Sequence, residues 1–569
     1  MHFTQSTAPS QRISPSESTK EQQEQVRSNR PTLLTLPPEI QTKIFSHLAV
    51  SWGKSTIQEV LRTCKQLYEV ALPISVSIFR NTINQTEGQG PCSTTRNIQF
   101  LRYILISKPW LAKNVRTVVL GRISSRDGEV NNGQEKYGKA STTDEEIAIY
   151  QQHIELILGQ LPSGYTERWG VEWVEDLKSG TSDAQAALIL LACPNIHTLL
   201  YEIPDQPRHF PQLLSFIHNL AEISLSIRTS THSKMIIPLS NLQDVFHETL
   251  DYNRGYSQFG MEAPEFFAFP RLRYYECILA HVWSDIAGKF ERLPRRSSSV
   301  EEIVLHASYI NKDTLDGMLG ACKALRKFEF SHFRLNRWLG APCLMMPGDI
   351  MDAILPHAST FESLYLNMEE TWDKEWKWIG CPERLYMGMG LRQMCTLKRL
   401  EIGMQALTGM LGWDPDTRNP VAPKMPLRVK GAPKIANCLP ESLECHKIHE
   451  CGMPILDQAA ELIRVVEQGH GFKRLAYIGL LFNGWKMDPD VDFPKARKLT
   501  CNASHVRLDI AFREELIYLC DLGETVRISD TDQRNLTSRI YAPHIRKMYL
   551  ETRGQPDLVL LDDPDLYDE

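Results

Sequence analysis

The stretch VEEIVL (residues 300–305) places an apolar residue, two others, a second apolar residue, any residue and a third apolar residue in order. The same spacing returns in LRKFEF (residues 325–330), FESLYL (residues 361–366) and LKRLEI (residues 397–402). The apolar-any-apolar ending has the period of two that is typical of a β-strand with one buried face. Each copy therefore predicts a short strand.

Further copies of this pattern occur on both sides of residue 300. They lie at residues 115–120, 196–199, 220–225, 272–275, 443–448 and 472–477. Helical stretches precede several copies, such as DTLDGMLGAC before Leu325 and LDQAAELIRVVEQ before Phe472. Because helix and strand alternate, the sequence predicts an α/β fold: an irregular leucine-rich-repeat-like solenoid with parallel strands on its concave side and helices on its convex side. The alternative is a plain α/β domain whose buried strands resemble one another.

The spacing between copies ranges from 24 residues (Leu199 to Ile223) to 36 residues (Phe328 to Leu364). Regular repeats of this type span about 20–29 residues, so the array is predicted to be degenerate. The long insertions fall near residues 123–180, 229–269 and 403–437.

The bulk composition narrows the class of protein. The chain has 569 residues, of which 42% are hydrophobic and 23% charged, and a formal net charge of −6. A mildly acidic chain without a basic stripe disfavours nucleic acid as a partner. The longest apolar run, residues 186–193, is shorter than a membrane span, and residues 1–30 hold no apolar segment of a signal peptide. We therefore expect no membrane partner and a location in the cytoplasm, the nucleus or both, which also suits 13 scattered cysteines.

Four regions follow from the shifts in composition. Residues 1–30 are polar and are predicted to be disordered, residues 31–80 to form a small helical bundle, and residues 95–555 to form the repeat region. Residues 556–569 form an acidic tail. A bundle of about 50 residues buries little surface and is marginal alone, so we expect it to lean on a neighbour or a partner.

The bundle begins in LTLPPEIQTKIFSHL (residues 34–48). Pro38 suits the first turn of a helix, and Ile40, Ile44, Phe45 and Leu48 fall on one helical face. A second helix is predicted from Ser55, where Gln58 would complete a capping box, to an end or kink at Pro73.

These residues resemble an F-box over residues 33–80. The resemblance rests on Leu36-Pro37, Glu39-Ile40, Ile44 and Leu48 in the first helix and on Leu61, Cys64 and Leu67 in the second. The region after residue 99 is similar to the long C-terminal regions of filamentous-fungal F-box proteins, as in ACPNIHTLLYE and LPESLECHKI. The resemblance implies docking to the S-phase-kinase-associated adaptor and, through it, to a cullin. The repeat region would then recruit a protein substrate for ubiquitination.

The residues expected to contact the adaptor are Leu36, Pro37, Ile40, Ile44 and Leu48. Leu61, Cys64 and Leu67 are expected to lie mainly in the core of the bundle. The residues expected to bind the substrate are those beside the strand apolars: Arg326, Lys327, Glu329, Glu362, Tyr365, Lys398, Arg399 and Glu401. A second hypothesis is an interaction scaffold outside any ligase, in which the bundle only caps the end of the array.

The sequence offers one cluster with the residue types of a metal site. ECHKIHEC contains Cys445, His446, His449 and Cys451, but a strand would hold Cys445 and Cys451 about 20 Å apart, so we predict a strand and no metal. The chain lacks the Gly-x-Ser-x-Gly motif of a serine nucleophile and a Gly-x-Gly-x-x-Gly dinucleotide fingerprint. We therefore predict no enzyme activity and no cofactor.

Overall fold

The computed structural model describes fifteen stretches of the chain. They are residues 32–51, 53–81, 94–123, 142–159, 169–202, 211–229, 237–248, 263–278, 280, 290–308, 310–332, 345–368, 384–409, 432–483 and 492–513. The chain divides into two compact units, Met1–Ser77 and Ile78–Glu569. The predicted disordered tail (residues 1–30) and acidic tail (residues 556–569) lie outside the described residues.

The first unit is a bundle of helices α1 (Pro38–Ser51), α2 (Gly53–Leu61) and α3 (Lys65–Ser75). A 3-10 turn, Leu33–Thr35, precedes α1. The fully packed core is small and consists of Phe45, Ile57, Leu67 and Ala71. Helix α1 begins at Pro38 as predicted, because proline at this position gives up no helical hydrogen bond.

The predicted second helix is wrong in its boundaries. The helical region begins at Gly53 rather than Ser55, and it consists of two helices, α2 and α3, instead of one. The break occurs because the Thr63 hydroxyl donates to the Val60 carbonyl (2.7 Å) and Cys64 is extended, with φ −158°. Cys64 is exposed rather than in the core, and Pro73 lies inside α3 instead of ending it.

Within the described residues, the second unit is built on one parallel sheet of twelve strands in chain order. The strands are β1 (Ile78–Asn81), β2 (Thr117–Arg122), β3 (Thr198–Glu202), β4 (Asp244–Glu248), β5 (Tyr274–Ile278), β6 (Glu302–Ser308), β7 (Lys327–His332), β8 (Ser363–Asn367), β9 (Arg399–Gly403), β10 (Cys445–Cys451), β11 (Tyr477–Asn483) and β12 (Arg507–Arg513). Sequential, all-parallel order confirms the predicted α/β architecture of stacked repeats. Residues 78–80, assigned to the bundle from the sequence, instead begin this sheet.

Helical segments connect many of the strands. They are α4 (Thr94–Leu101), which continues as a π-helix over Arg102–Ser107, α5 (Asp144–Leu158), α6 (Trp169–Lys178), α7 (Ser182–Ala192), α8 (Pro211–Thr229), α9 (Ala263–Phe267), α10 (Lys312–Ala321), α11 (Pro347–Ile354), α12 (Met404–Thr408), α13 (Ile435–Cys438), α14 (Ile455–Glu467) and α15 (Asp492–Ala496). Further 3-10 helices span Pro109–Asn114, Leu355–His357 and Gly388–Gln393. Polar caps fix several starts: the Asn311 side chain accepts from the Thr314 amide (2.8 Å) at the start of α10.

The core lies between the sheet and these helices. The second and fourth residues of the strands face it, as Ile303 and Leu305 in β6 and Leu364 and Leu366 in β8 show by being almost wholly buried. Pairing continues just before the strands, where the Arg326 carbonyl accepts from Glu362 (2.7 Å) and Ser363 (3.0 Å). Matching register over the first four residues of β6, β7 and β8 stacks these apolar residues into rows.

Three expectations about the repeats are wrong. Residues 220–225 are not a strand but part of α8, because Leu220 and Ile223, at i and i+3, fall on one helical face, whereas Leu225 is only partly buried. Strand β4 lies inside the segment assigned to an insertion at residues 229–269, and its fourth position holds a histidine, His247, instead of an aliphatic residue. In β11 the second and fourth residues, Ile478 and Leu480, are the ones that match the pattern, three residues later than the predicted frame.

Candidate interaction surfaces

Each strand of the sheet has a face that points away from the helical core, and we call this the second face. It is formed by the first, third and fifth residues of the strands, because side chains alternate along a strand. From β5 to β9 the first positions are Tyr274, Glu302, Lys327, Ser363 and Arg399, and the third positions are Glu276, Val304, Glu329, Tyr365 and Glu401.

The structure brings five of the eight predicted substrate-binding residues to this face. Lys327 and Arg399 occupy first positions, and Glu329, Tyr365 and Glu401 occupy third positions. They differ in exposure: the side chains of Lys327 and Glu329 are 19% and 15% exposed and pair at 2.8 Å, whereas Glu401 is 37% exposed. Glu401 pairs with Lys447 of β10 at 3.4 Å. These five predicted residues therefore lie on one face of the sheet, but only some of them are exposed to solvent.

The other three predicted residues lie directly before the strands. Arg326, Glu362 and Lys398 precede β7, β8 and β9, and Glu301 precedes β6. Glu362 joins Arg326 (2.8 Å) and Lys398 (2.9 Å), and Arg326 also approaches Glu301 (3.7 Å). We call these four residues the charged ladder. The hydrogen bond from Lys398, followed by the one from Arg326, lowers the pKa of Glu362, so its carboxylate stays ionised.

A second cluster on the same face was not predicted. Leu200, Phe246, Tyr274 and Val304, on strands β3 to β6, pack together on the side away from the main core. Phe246 and Tyr274 are each 7% exposed and Val304 is fully buried, and the two rings lie 5.1 Å apart between centroids. These residues stand at positions that the repeat pattern leaves unassigned, because the pattern specifies only the residues facing the helices.

Carboxylates surround this apolar cluster. Glu276 is 1% exposed and accepts a hydrogen bond from the Tyr274 hydroxyl. Burial raises the pKa of Glu302, and burial followed by the charge of Glu276 raises that of Tyr274 well above its ordinary value. We call Leu200, Phe246, Tyr274 and Val304, with Glu276, Glu302 and Glu329, the buried acidic patch. The signal for it lay in the sequence as apolar residues at the third positions of β3, β4 and β6, Leu200, Phe246 and Val304.

The cysteine and histidine cluster of β10 lies in a strand, as predicted. His446 is fully buried, with Nδ1 3.3 Å from the Leu400 carbonyl, and Nε2 of His449 lies 3.0 Å from the Leu366 carbonyl. In the ranges that the structure describes, no three His, Cys, Asp or Glu side chains converge as a metal site requires. The His446 ring thus contacts a backbone carbonyl of the neighbouring strand β9, and the His449 ring contacts one of β8, two strands away.

The first unit carries its own candidate surface. Leu33, Leu34 and Ile40 are 37%, 45% and 41% exposed, although all three are large and apolar. Pro37 and Pro38 between them are exposed as well. We call these five residues the N-terminal ridge. Of the predicted adaptor-binding residues, Pro37 and Ile40 belong to it, Leu36 is half-buried, and Ile44 and Leu48 pack partly against the core of the bundle.

Two glutamines tie the segment before α1 to the bundle. The Gln41 amide donates to the carbonyls of Leu33 and Leu36, both at 2.9 Å, and Gln41 is fully buried. The Gln66 amide, from α3, donates to the Leu34 carbonyl at 2.9 Å. Neither contact could be predicted, since an amphipathic helix leaves glutamine free to face solvent.

The repeated helix–strand units have a counterpart among known families. A family model described as a leucine-rich repeat domain matches residues 92–461. The chain belongs to this family. No curated protein matches the chain.

The leucine-rich repeat match covers β2 to β10, and the sheet of this leucine-rich repeat protein extends beyond it by β1 on one side and by β11 and β12 on the other. A leucine-rich repeat domain indicates a protein-interaction scaffold, which suits a long face of regularly spaced side chains. Among the described helices, none has the length and apolarity to cross a bilayer.

Proposed function

We propose that this chain is the substrate-recognition subunit of an adaptor–cullin–F-box ubiquitin ligase. The first unit would dock on the S-phase-kinase-associated adaptor, and the leucine-rich repeat domain would hold the protein to be modified. The chain would act as a tether that raises the local concentration of the target, with no catalysis and no cofactor of its own. Such a subunit would work in the cytoplasm or the nucleus.

The N-terminal ridge is the observation that carries this proposal. Among the described residues, the core cluster of the bundle comprises four buried apolar residues, whereas Leu33, Leu34 and Ile40 are more than a third exposed. Exposed apolar side chains that lie near one another in the chain of a small module favour a protein partner. The same residues lie at the start of the segment that resembles an F-box, and this resemblance implies that the partner is the adaptor.

The repeat domain supports the second half of the proposal. The charged ladder and the second face carry paired charges, Arg326–Glu362 in the ladder and Lys447–Glu401 on the face, and the face adds a half-buried Tyr365. Exposed charges of both signs favour specificity and salt-sensitive association with a protein over tight apolar binding. Substrate contact on β7 to β9 is therefore part of the proposal.

Binding of the purified adaptor to the full chain tests the first half. Ile40→Asp and Leu34→Asp place a charge on exposed apolar residues, so the bundle should stay folded while adaptor affinity falls by more than about tenfold. Gln58→Asp makes the same charge change on an exposed residue of α2 and is the matched control. Equal affinity of Ile40→Asp, Gln58→Asp and wild type would reject the ridge as the docking surface.

A scaffold outside any ligase is the second candidate. It is favoured by the direct succession of the two units, because β1 begins at Ile78, immediately after the bundle ends at Ser77. In this case the bundle would serve as an end cap, the wild-type chain would not bind the adaptor, and deleting residues 31–77 would lower the melting temperature of the repeat domain. The scaffold would be excluded if the wild-type chain binds the adaptor and the deletion leaves the melting temperature of the repeat domain unchanged.

A further inference from the structure

We infer that Gln41 is a positioning residue that holds the N-terminal ridge in the conformation the adaptor binds. The inference rests on the proposed function, since it concerns the same docking surface. Gln41 itself is fully buried and therefore does not contact a partner. It acts through the two carbonyls that it binds.

Besides Gln41, the segment before α1 is held by the Gln66 amide, which donates to the Leu34 carbonyl (2.9 Å), and by the Thr35 hydroxyl, which donates to the Thr32 carbonyl (2.9 Å). Leu33–Thr35 is a single 3-10 turn without any buried residue, closed by the Thr35 amide on the Thr32 carbonyl (3.0 Å). Isolated short turns of this kind are marginal in water. The Gln41 amide reaches both ends of the turn, at Leu33 and Leu36, and so fixes its orientation against α1.

Gln41 is an unfavourable choice for the core itself. Its side chain is in the bundle interior, and its Oε1 is buried without a hydrogen-bond partner, among the residues described. A buried, unsatisfied amide oxygen costs about 1–3 kcal/mol. An apolar side chain of similar volume would avoid this cost and pack against the same neighbours. The amide therefore destabilises the core locally while ordering a surface segment.

This arrangement separates two quantities that a purely structural residue would change together. Replacing Gln41 by methionine removes the unsatisfied oxygen, so the melting temperature of the bundle should stay the same or rise. The same change frees the carbonyls of Leu33 and Leu36, which lie near solvent, so the ridge becomes mobile before binding. Ordering it again on docking weakens the affinity.

The experiment compares adaptor binding and thermal unfolding of the full chain for wild type, Gln41→Met and Gln41→Leu. We expect the Kd for the purified adaptor to rise by about fivefold in both variants, with no decrease in melting temperature. Amide hydrogen exchange at Thr35 should become faster in the free variants and return to the wild-type rate in the complex. Gln58→Leu, the same chemical change at an exposed site, should leave the Kd unchanged.

Three results would overturn the inference. Wild-type Kd values for both variants would show that the two hydrogen bonds do not prepare the ridge. A Kd that weakens only together with the melting temperature would make Gln41 an ordinary core residue. If the wild-type chain itself does not bind the adaptor, the proposed function fails first and the role of Gln41 fails with it.

Discussion

The buried acidic patch and the charged ladder lie on adjacent strands and use the same residue types, but their charges are in opposite situations. In the ladder, Glu362 is 30% exposed and contacts two cations, and its pKa is lowered. In the patch, Glu302 is raised in pKa by burial, and Glu276 is 1% exposed beside a tyrosine. The same repeat thus produces a solvated, paired surface on one strand and a desolvated, acidic one on the next.

Register alone does not determine whether a side chain at a given strand position is buried or exposed. Val304 and Tyr365 are both third residues of their strands, yet Val304 is fully buried and Tyr365 is half-buried. Paired surface charges contribute about 0–1 kcal/mol each, whereas a buried carboxylate is costly unless it is hydrogen-bonded. Four measurements test this contrast between the buried acidic patch and the solvated residues.

The largest effect is expected from Val304→Asp. Val304 pairs in register with Glu276 on one side and Glu329 on the other, so a new carboxylate there would be buried between two others. We expect a loss of about 3–5 kcal/mol in the free energy of unfolding. Tyr365→Asp, at the same strand position in β8, should cost less than about 1.5 kcal/mol. Urea denaturation of both variants measures the contrast, and equal losses would show that the patch is not desolvated.

The next effect concerns pH and the core beneath the patch. His247, in β4, is 3% exposed, its ring stacks on Tyr201 at 4.7 Å, and burial lowers its pKa to about 4 from an ordinary 6.5. Since the unfolded chain binds the proton first, stability should fall as the pH drops from about 6.5 to 4, by about 3 kcal/mol for this residue.

Thermal unfolding of wild type and His247→Phe between pH 7.5 and 4.5 tests this expectation. The variant should lose stability more slowly on acidification. The corresponding change at His446, whose pKa burial also lowers to about 4, serves as a comparison beneath the charged end of the face. Parallel acid profiles for wild type and His247→Phe would contradict the assignment.

A smaller effect is expected from Tyr274→Phe. The change removes the hydroxyl that donates to the Glu276 carboxylate, which is buried, so the carboxylate loses a charged hydrogen bond. We expect a destabilisation of about 1.5–3 kcal/mol. Tyr365→Phe is the control on the solvated side and should change the free energy of unfolding by less than about 0.5 kcal/mol. If the two substitutions have the same effect, the hydrogen bond to Glu276 contributes nothing particular to the patch.

The smallest effects should differ in sign. Burial raises the pKa of Glu302, so the folded chain binds the Glu302 proton more tightly than the unfolded chain does. The free energy of unfolding therefore falls as the pH rises from the ordinary pKa of a glutamate to the raised one. Glu302→Gln should therefore be more stable than wild type at pH 7 and lose this advantage toward pH 4. Glu362, with its lowered pKa, contributes stability above its ordinary pKa and loses it on acidification.

Glu362→Gln should accordingly be less stable than wild type at pH 7 by less than about 1 kcal/mol, and less so in high salt. Chemical denaturation at pH 4, 5.5 and 7 with both variants gives the two signs directly. Destabilisation of both variants at pH 7 would mean that Glu302 is paired as favourably as Glu362.

Much of the sheet could be predicted because burial toward the helices is a local pattern. The rows that include Ile303, Phe328 and Leu364 follow from apolar residues at fixed spacing. The pattern failed at two places. Strand β4 was missed because its fourth position holds His247, and residues 220–225 matched the pattern although they lie in α8. Leu220 and Ile223, three residues apart, share a helical face, so this copy of the pattern did not exclude a helix.

The predicted binding residues show the same limit. Their strand positions could be derived from the repeat, but the low exposure of Lys327 and Glu329 could not, because it depends on the side chains that surround them in the fold. In the bundle, the apolar stripe of α1 was evident, whereas the division between the buried Phe45 and the exposed Ile40 was not. Amphipathic spacing identifies a face, but its width against a partner helix determines what is covered.

The alternation of helix and strand, the parallel order of the sheet and most of the residues that face the helices follow from the amino-acid sequence. These are consequences of backbone periodicity and of burying apolar side chains within each repeat. The tertiary structure alone decided which charges are desolvated, as at Glu276, and which are paired and solvated, as at Glu362. Electrostatic environment depends on neighbours from other strands, and these become adjacent only when the repeats stack.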